Sequence, residues 1–171
     1  MTKIINGYDK SKWGDTIEET LKLYEELGEI SNEDGIKIGL RSLGRQRTGG
    51  VDEFQAFDFY NNKLYSVSLY FHDMDYASQE MLINKFIDKY GETNNIKEDK
   101  QNIDNETFFI NRYCTYFISD EMTINLTLSI KMHKFTKEEL EHNLRYHYYN
   151  PKIMIEISQV KARLDTNDII V

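Results

Sequence analysis

The stretch from residue 122 to residue 132 limits the possible folds more than any other part of the chain. It reads Met-Thr-Ile-Asn-Leu-Thr-Leu-Ser-Ile-Lys-Met, so every even position is apolar and every odd position is polar. A period of two sends successive side chains to opposite faces of a β-strand. Because strands of parallel sheets are covered on both faces and form continuous apolar runs, this alternation predicts an antiparallel sheet with one face on a core.

The segment 108–132 as a whole predicts a β-hairpin that turns at Asp120-Glu121. A two-residue turn would place Tyr113 opposite Leu128. The single cysteine, Cys114, would then lie on the other face of its strand, where we expect an inert thiol.

The segment 54–71 predicts an earlier hairpin, about Asn61-Asn62, because asparagine tolerates the left-handed dihedral angles of a two-residue turn. That turn pairs Phe54 with Leu69 on one face. The other face of this hairpin is also apolar, which indicates that something covers it.

Helices are predicted where apolar residues recur every three or four positions behind a capping residue. Asp15 or Thr16 can open a capping box with a glutamate three positions later, Thr136 precedes Glu139 in the same way, and Asp75 can cap a third helix. The predicted helices cover residues 16–27, 75–90 and 136–149.

The remaining segments are assigned from composition. Residues 1–13 read as a flexible arm, and residues 91–105 as a polar loop. The alternation at 36–40 predicts a strand that runs into a loop from Arg41 to Gly50. Residues 152–158 read as a last strand, followed by a short helix or a tail.

These elements predict one α+β domain over residues 1–171. The segments 54–90 and 108–149 both read as a hairpin followed by a helix. We therefore expect a two-layer sandwich, in which an antiparallel meander sheet of about five to six strands carries helices on one face.

The composition narrows the functional class. A net charge of −8 argues against a nucleic-acid partner, because affinity for phosphates comes largely from basic side chains. One cysteine excludes a disulfide framework and a thiol-rich zinc site. No signal peptide or apolar span of about 20 residues is visible, so a cytoplasmic location is the expectation.

Three stretches together resemble small bacterial α+β proteins of the β-lactamase-inhibitor-like group. They are Trp13-Gly14-Asp15-Thr16-Ile17-Glu18-Glu19 at the start of a helix, Phe59-Tyr60-Asn61-Asn62-Lys63-Leu64-Tyr65-Ser66-Val67 in a hairpin, and Lys89-Tyr90-Gly91 at the end of a helix. The resemblance covers residues 13–91, and it implies a sheet that binds another protein without catalysis.

Two groups of residues are candidate binding sites. Arg41, Arg45 and Arg47 lie in a stretch without acids, where they could hold phosphate or an acidic surface. Tyr146 and Tyr149 lie in a tyrosine-rich run that suits a protein interface, since tyrosine and arginine are common interface anchors. The sequence predicts no catalytic residue, metal ligand or cofactor site.

Three functions remain open at this point. The first is a non-enzymatic protein-binding module, such as an inhibitor or an immunity-like protein for a basic partner. The second is a carrier of small apolar ligands, held between a curved sheet and a helix. The third is an enzyme that acts on an anionic substrate.

Overall fold

The fold is that of a computed structural model, which describes residues 5–24, 27, 29–31, 39–48 and 51–169. Ten strands and three helices lie in these ranges. In chain order they are β1 Gly7–Tyr8, β2 Ser11–Lys12, α1 Ile17–Leu23, β3 Glu29–Ser31, β4 Gly39–Thr48, β5 Val51–Tyr60, β6 Lys63–Phe71, α2 Tyr76–Tyr90, β7 Ile96–Asn102, β8 Thr107–Ser119, β9 Met122–His133, β10 Glu139–Tyr149 and α3 Pro151–Ile169.

Eight of the strands form one antiparallel sheet in the order β3-β4-β5-β6-β10-β9-β8-β7. The sheet consists of two four-stranded meanders, each followed by a helix, and the meanders join where β6 pairs with β10. The α+β class and the antiparallel sheet are confirmed. The sheet is larger than the five to six strands expected, because β3, β4 and β7 lie in segments that were read mostly as loops.

The core lies on the face of the sheet that α2 covers, which we call the α2 face. Side chains of this face alternate along β9 as the sequence predicts, and Ile124 is fully buried. The ring of Phe86 on α2 stacks at 5.2 Å on the ring of Tyr146 from β10. Burial of such apolar side chains supplies most of the stabilisation of the sheet.

The N-terminal segment covers the apolar hairpin of β5 and β6. Residues 1–13 were expected to form a flexible arm, but β1 and β2 pair with each other. The Tyr8 ring packs 6.0 Å from the ring of Phe57. The ring of Tyr24, which follows α1, also packs on the ring of Phe57, at 4.9 Å. Within the described part of the arm, residues 5–13, Tyr8 and Trp13 therefore pack against the core.

The helices at 16–27 and 75–90 form, with one difference. Thr16 caps α1 with the predicted capping box, but α1 ends at Leu23, because Tyr24 turns to extended backbone. Asp75 caps α2 by accepting the Ser78 amide, and Gly91 follows its end.

The predicted helix at 136–149 is wrong, because β10 occupies residues 139–149. Leu144, Tyr146 and Tyr148 alternate with polar residues and are all buried on the α2 face. β10 pairs with β6 on one side and β9 on the other, so its backbone hydrogen bonds are satisfied in the sheet. The second half of the sheet is thus a four-stranded meander, and the helix that follows it, α3, begins at Pro151.

The predicted strand at 152–158 is also wrong, because α3 begins at Pro151. Proline suits the first position of a helix, where no amide donor is needed. α3 borders the face of the sheet opposite to α2, where Met154 and Ile155 line a groove with Tyr149.

Two segments read as loops are strands. The predicted loop 41–50, which bears the three arginines, lies in β4 up to Thr48. Its last two residues, 49 and 50, lie outside the described residues. In the stretch 91–105, β7 pairs with β8 at the edge of the sheet, and all seven of its residues are exposed. Residues 36–38 of the predicted strand before β4 also lie outside the described residues.

A one-residue bulge shifts the register in each predicted hairpin. Tyr60 pairs with Lys63 as expected, but past a bulge at Asp58 and Phe59 the partner of Phe54 is Tyr70. The second hairpin has a bulge between Phe117 and Ser119, which makes Thr127 the partner of Tyr113 and Leu126 the partner of Cys114. The thiol therefore lies on the α2 face.

None of the helices in the described ranges is long and apolar enough to span a membrane.

Candidate functional site

The face of the sheet opposite to α2 carries the best candidate site. We call it the Arg145 face, after the arginine at its centre. Cross-strand partners share a face in an antiparallel sheet, and side chains alternate along each strand. The register therefore assigns to this face Phe54 on β5, Ser66, Ser68 and Tyr70 on β6, and Arg145, His147 and Tyr149 on β10.

Arg145 is held in place by its neighbours on β6. Its guanidinium carbon lies 5.1 Å from the centre of the Tyr70 ring, and its Nη2 donates to Ser68 Oγ at 3.3 Å. The Nε atom is buried and has no hydrogen-bond acceptor. Within the described residues, Arg145 forms no ion pair with a carboxylate.

Aromatic rings extend from Arg145 towards the end of β6. The rings of Tyr70 and His72 are parallel, with their centres 6.3 Å apart. Phe54 packs its ring edge-on to His72 at 6.0 Å, and 39% of Phe54 is exposed. Aromatic rings and an arginine that share one surface are a combination that is common at protein interfaces.

The other end of this face borders α3. His147 Nε2 lies 2.8 Å from Ser66 Oγ, and its ring packs 4.8 Å from that of Tyr149. His147, Tyr149 and Asn125 form the floor of a groove of about 640 Å³ along α3. Although a serine beside a histidine can act as a nucleophile, Ser66 is only 1% exposed, so a substrate cannot reach its hydroxyl in this conformation.

The structure brings most of the predicted site residues to the same face. Arg41 pairs with Asp58, Arg45 with Phe54 and Arg47 with Asp52, so all three arginines occupy register positions on the Arg145 face. Their side chains lie outside the described part of the chain. Tyr149, also predicted, lies half-buried on this face.

Tyr146 is the exception among the predicted residues. It lies on the α2 face, is 6% exposed and donates from its hydroxyl to the carbonyl of Leu82 on α2 at 2.9 Å. Burial raises the pKa of the Tyr146 phenol above its ordinary range. The same cause raises the pKa of Tyr90 to about 12. Tyr146 therefore fastens α2 to the sheet and cannot form part of an interface rim.

Other residues considered in the sequence have structural roles. Asp75 accepts the Ser78 amide at 2.7 Å, and this hydrogen bond lowers the pKa of the carboxyl. Burial raises the pKa of the Cys114 thiol, which disfavours the reactive thiolate. In the described ranges, no three side chains of the metal-binding types lie close together.

Two smaller grooves flank α2 on its own face. The larger, of about 330 Å³, lies between α2 and the strands β8 and β9, with Ile83, Ile87, Leu126 and Leu128 in its lining. The other, of about 270 Å³, lies towards β5 and contains Glu53 and Tyr90. Both are near or below the lower limit of about 300 Å³ for ordinary ligand pockets.

The sequence analysis missed Arg145, Tyr70, His72 and Phe54 as a group. The signal that could have found them is the alternation in the run Leu-Arg-Tyr-His-Tyr-Tyr at 144–149. A period of two separates Arg145, His147 and Tyr149 from the buried residues, whereas the helical interpretation mixed the two sets.

The comparisons with known proteins give no relative. No protein family, no curated protein and no solved structure matches the chain significantly.

Proposed function

We propose that the chain is a non-enzymatic protein-binding module that recognises its partner through the Arg145 face. The observation that supports this most directly is the cluster of Phe54, Tyr70, His72 and Arg145, which presents rings and a guanidinium on one side of a sheet. Aromatic residues and arginine provide most of the binding energy at protein interfaces.

The rigidity of the surroundings also favours binding. The cluster stands on β5, β6 and β10, which are central strands with hydrogen-bonded neighbours on both sides. A preformed surface loses little conformational entropy when a partner docks. An inhibitor or immunity-like role belongs to this proposal, as do a cytoplasmic location and the absence of a nucleic-acid partner. The resemblance to β-lactamase-inhibitor-like proteins implies a sheet that binds another protein without catalysis.

The test compares two aromatic substitutions in affinity capture from the native host. Phe54→Ala removes a ring from the Arg145 face, whereas Tyr76→Ala removes a ring that is 66% exposed at the start of α2. We expect a protein that is retained by the parent chain and by Tyr76→Ala, and that Phe54→Ala loses. Equal retention by both variants would contradict binding through this face.

A second candidate function, carriage of a small apolar ligand, rests on the 330 Å³ groove between α2 and β8. Native mass spectrometry of the chain purified gently from its host would detect such a ligand as added mass. Loss of that mass in Leu128→Trp, which fills the groove, would support the carrier.

A further inference from the structure

The distribution of charge along the chain indicates which kind of partner the Arg145 face recognises. The segment 15–34 contains eight acidic residues and one lysine, so it carries seven of the eight net negative charges. The rest of the chain is therefore close to neutral. The overall charge of −8 says little about the surface around Arg145.

The register positions next to Arg145 on β6, β9 and β10 bear no carboxylate. Its register partners, Tyr70 on β6 and Thr127 on β9, are uncharged. The adjacent positions of the same face on the three strands bear no carboxylate either; they are Ser68, His72, Asn125, Ser129, Asn143 and His147. Two acids of β5 occupy register positions on this face: Asp58 lies beyond Ala56 and is 9% exposed, and Asp52 lies beyond Phe54, with Arg47 as its partner on β4.

A half-buried guanidinium without a counter-ion is electrostatically unfavourable, because part of its hydration is lost and no opposite charge replaces it. Among the described residues, Arg145 has the Ser68 hydroxyl and the Tyr70 ring as partners, and its Nε has no hydrogen-bond acceptor. A carboxylate brought by another molecule would supply the missing charge through charge-assisted hydrogen bonds. The register also places Arg45 beside Phe54, in the same row across the strands.

We propose that the Arg145 face binds an acidic segment of a partner protein, in which a carboxylate pairs with Arg145 and a neighbouring apolar or aromatic side chain packs on Phe54 and His72. This inference rests on the proposed function, since it names the partner of the same surface. A polyanion such as a nucleic acid fits less well, because its affinity requires several cations. Of the arginines that the register places on this face, Arg41 and Arg47 have the carboxylates of Asp58 and Asp52 as register partners, whereas Arg45 and Arg145 have uncharged ones.

The experiment uses short labelled peptides and the full chain. One peptide alternates glutamate with tyrosine, a second replaces glutamate by glutamine, and a third replaces it by lysine; oligothymidylate is the nucleic-acid probe. Binding is measured by fluorescence anisotropy and located by NMR from the backbone amides of Tyr70, His72 and Arg145. Arg145→Gln removes the charge, Arg145→Lys keeps it, and Tyr76→Ala is the control.

We expect saturable binding of the glutamate peptide, with shifts at the three amides. Arg145→Gln and the glutamine peptide should each weaken the affinity about tenfold or more, as expected for loss of a charged hydrogen bond. Arg145→Lys should lose less, and Tyr76→Ala should bind as the parent does. Thermal unfolding of each variant shows whether it is folded.

Three results would overturn the inference, and they differ in what they mean for the proposed function. Tighter binding of the lysine peptide at the same amides would keep the protein-binding face but make its partner basic. Tighter binding of oligothymidylate there would overturn both. If the glutamate peptide causes no NMR shifts at the three amides, the proposal of an acidic partner is overturned, whether or not the peptide binds elsewhere. Capture of a partner through Phe54 could still succeed in that case.

Discussion

The ring of Phe86 fastens α2 to two strands of the second meander, β10 and β8, and its removal should be among the costliest single changes. The ring is 5% exposed. It lies 5.2 Å from the ring of Tyr146 on β10, 5.0 Å from that of Tyr116 on β8 and 4.8 Å from that of Tyr90 on its own helix. No other ring contact in the described residues joins α2 to β8.

Truncation of a buried phenylalanine to alanine costs about 3 to 5 kcal/mol, through lost transfer free energy and the cavity that remains. Aromatic pairs contribute roughly 0.5 to 1.5 kcal/mol each beyond burial, and Phe86 has three. We therefore expect Phe86→Ala to lower the free energy of unfolding by about 4 to 5 kcal/mol, in the upper half of that range. Phe86→Leu keeps much of the volume and should cost about 1 to 2 kcal/mol.

The assay is equilibrium unfolding in urea, followed by circular dichroism, with Ile155→Ala as a control. Ile155 is 61% exposed, so its truncation should change stability by less than about 0.5 kcal/mol. A cost below about 2 kcal/mol for Phe86→Ala, at an unchanged dependence on urea, would refute the view that this ring holds α2 on the sheet.

The turn and the buried phenols give two further predictions. Asn62→Gly should destabilise the chain by about 0.5 to 1.5 kcal/mol in urea unfolding, because it removes the acceptor of the Ile17 amide hydrogen bond. Asn61→Gly, at a similar positive φ, is the control and should be nearly neutral. Equal effects of the two substitutions would contradict a role for that hydrogen bond. The neutral phenol of Tyr90 is favoured in the folded state, so stability present below pH 10 is lost as the pH rises towards 12. An alkaline titration of tyrosinate absorbance alongside circular dichroism should show late ionisation coupled to unfolding, and early ionisation of every tyrosine in a folded chain would contradict it.

Local signals in the sequence were sufficient for elements whose ends are set by their own residues. The capping box of Thr16, the cap of Asp75 and the Asn61-Asn62 turn each involve groups within a few positions, so they could be predicted from the sequence. Both bulges were missed, because an extra residue in a ladder leaves no clear pattern in composition.

The sequence predicted a helix where β10 lies and a strand where α3 begins, because tertiary context overrides helical spacing. Leu140, Leu144 and Tyr148 fit a helical stripe, yet the chain places residues 139–149 between two strands that need hydrogen-bonding partners. The same error concealed the candidate site. Arg145 and Tyr70 are 75 positions apart in sequence and become neighbours only when β10 pairs with β6.

The exposed strand β7 forms one edge of the sheet, and its side chains determine whether another strand can pair with that edge. Its unpaired edge is a place where a foreign strand could add and start aggregation. Lys97, Glu98, Asp99 and Lys100 fill its centre, and all are exposed. An added strand would have to lie against this run of mixed charge, which makes extension of the sheet at this edge unfavourable. The charges of β7 therefore protect this edge against the addition of a foreign strand.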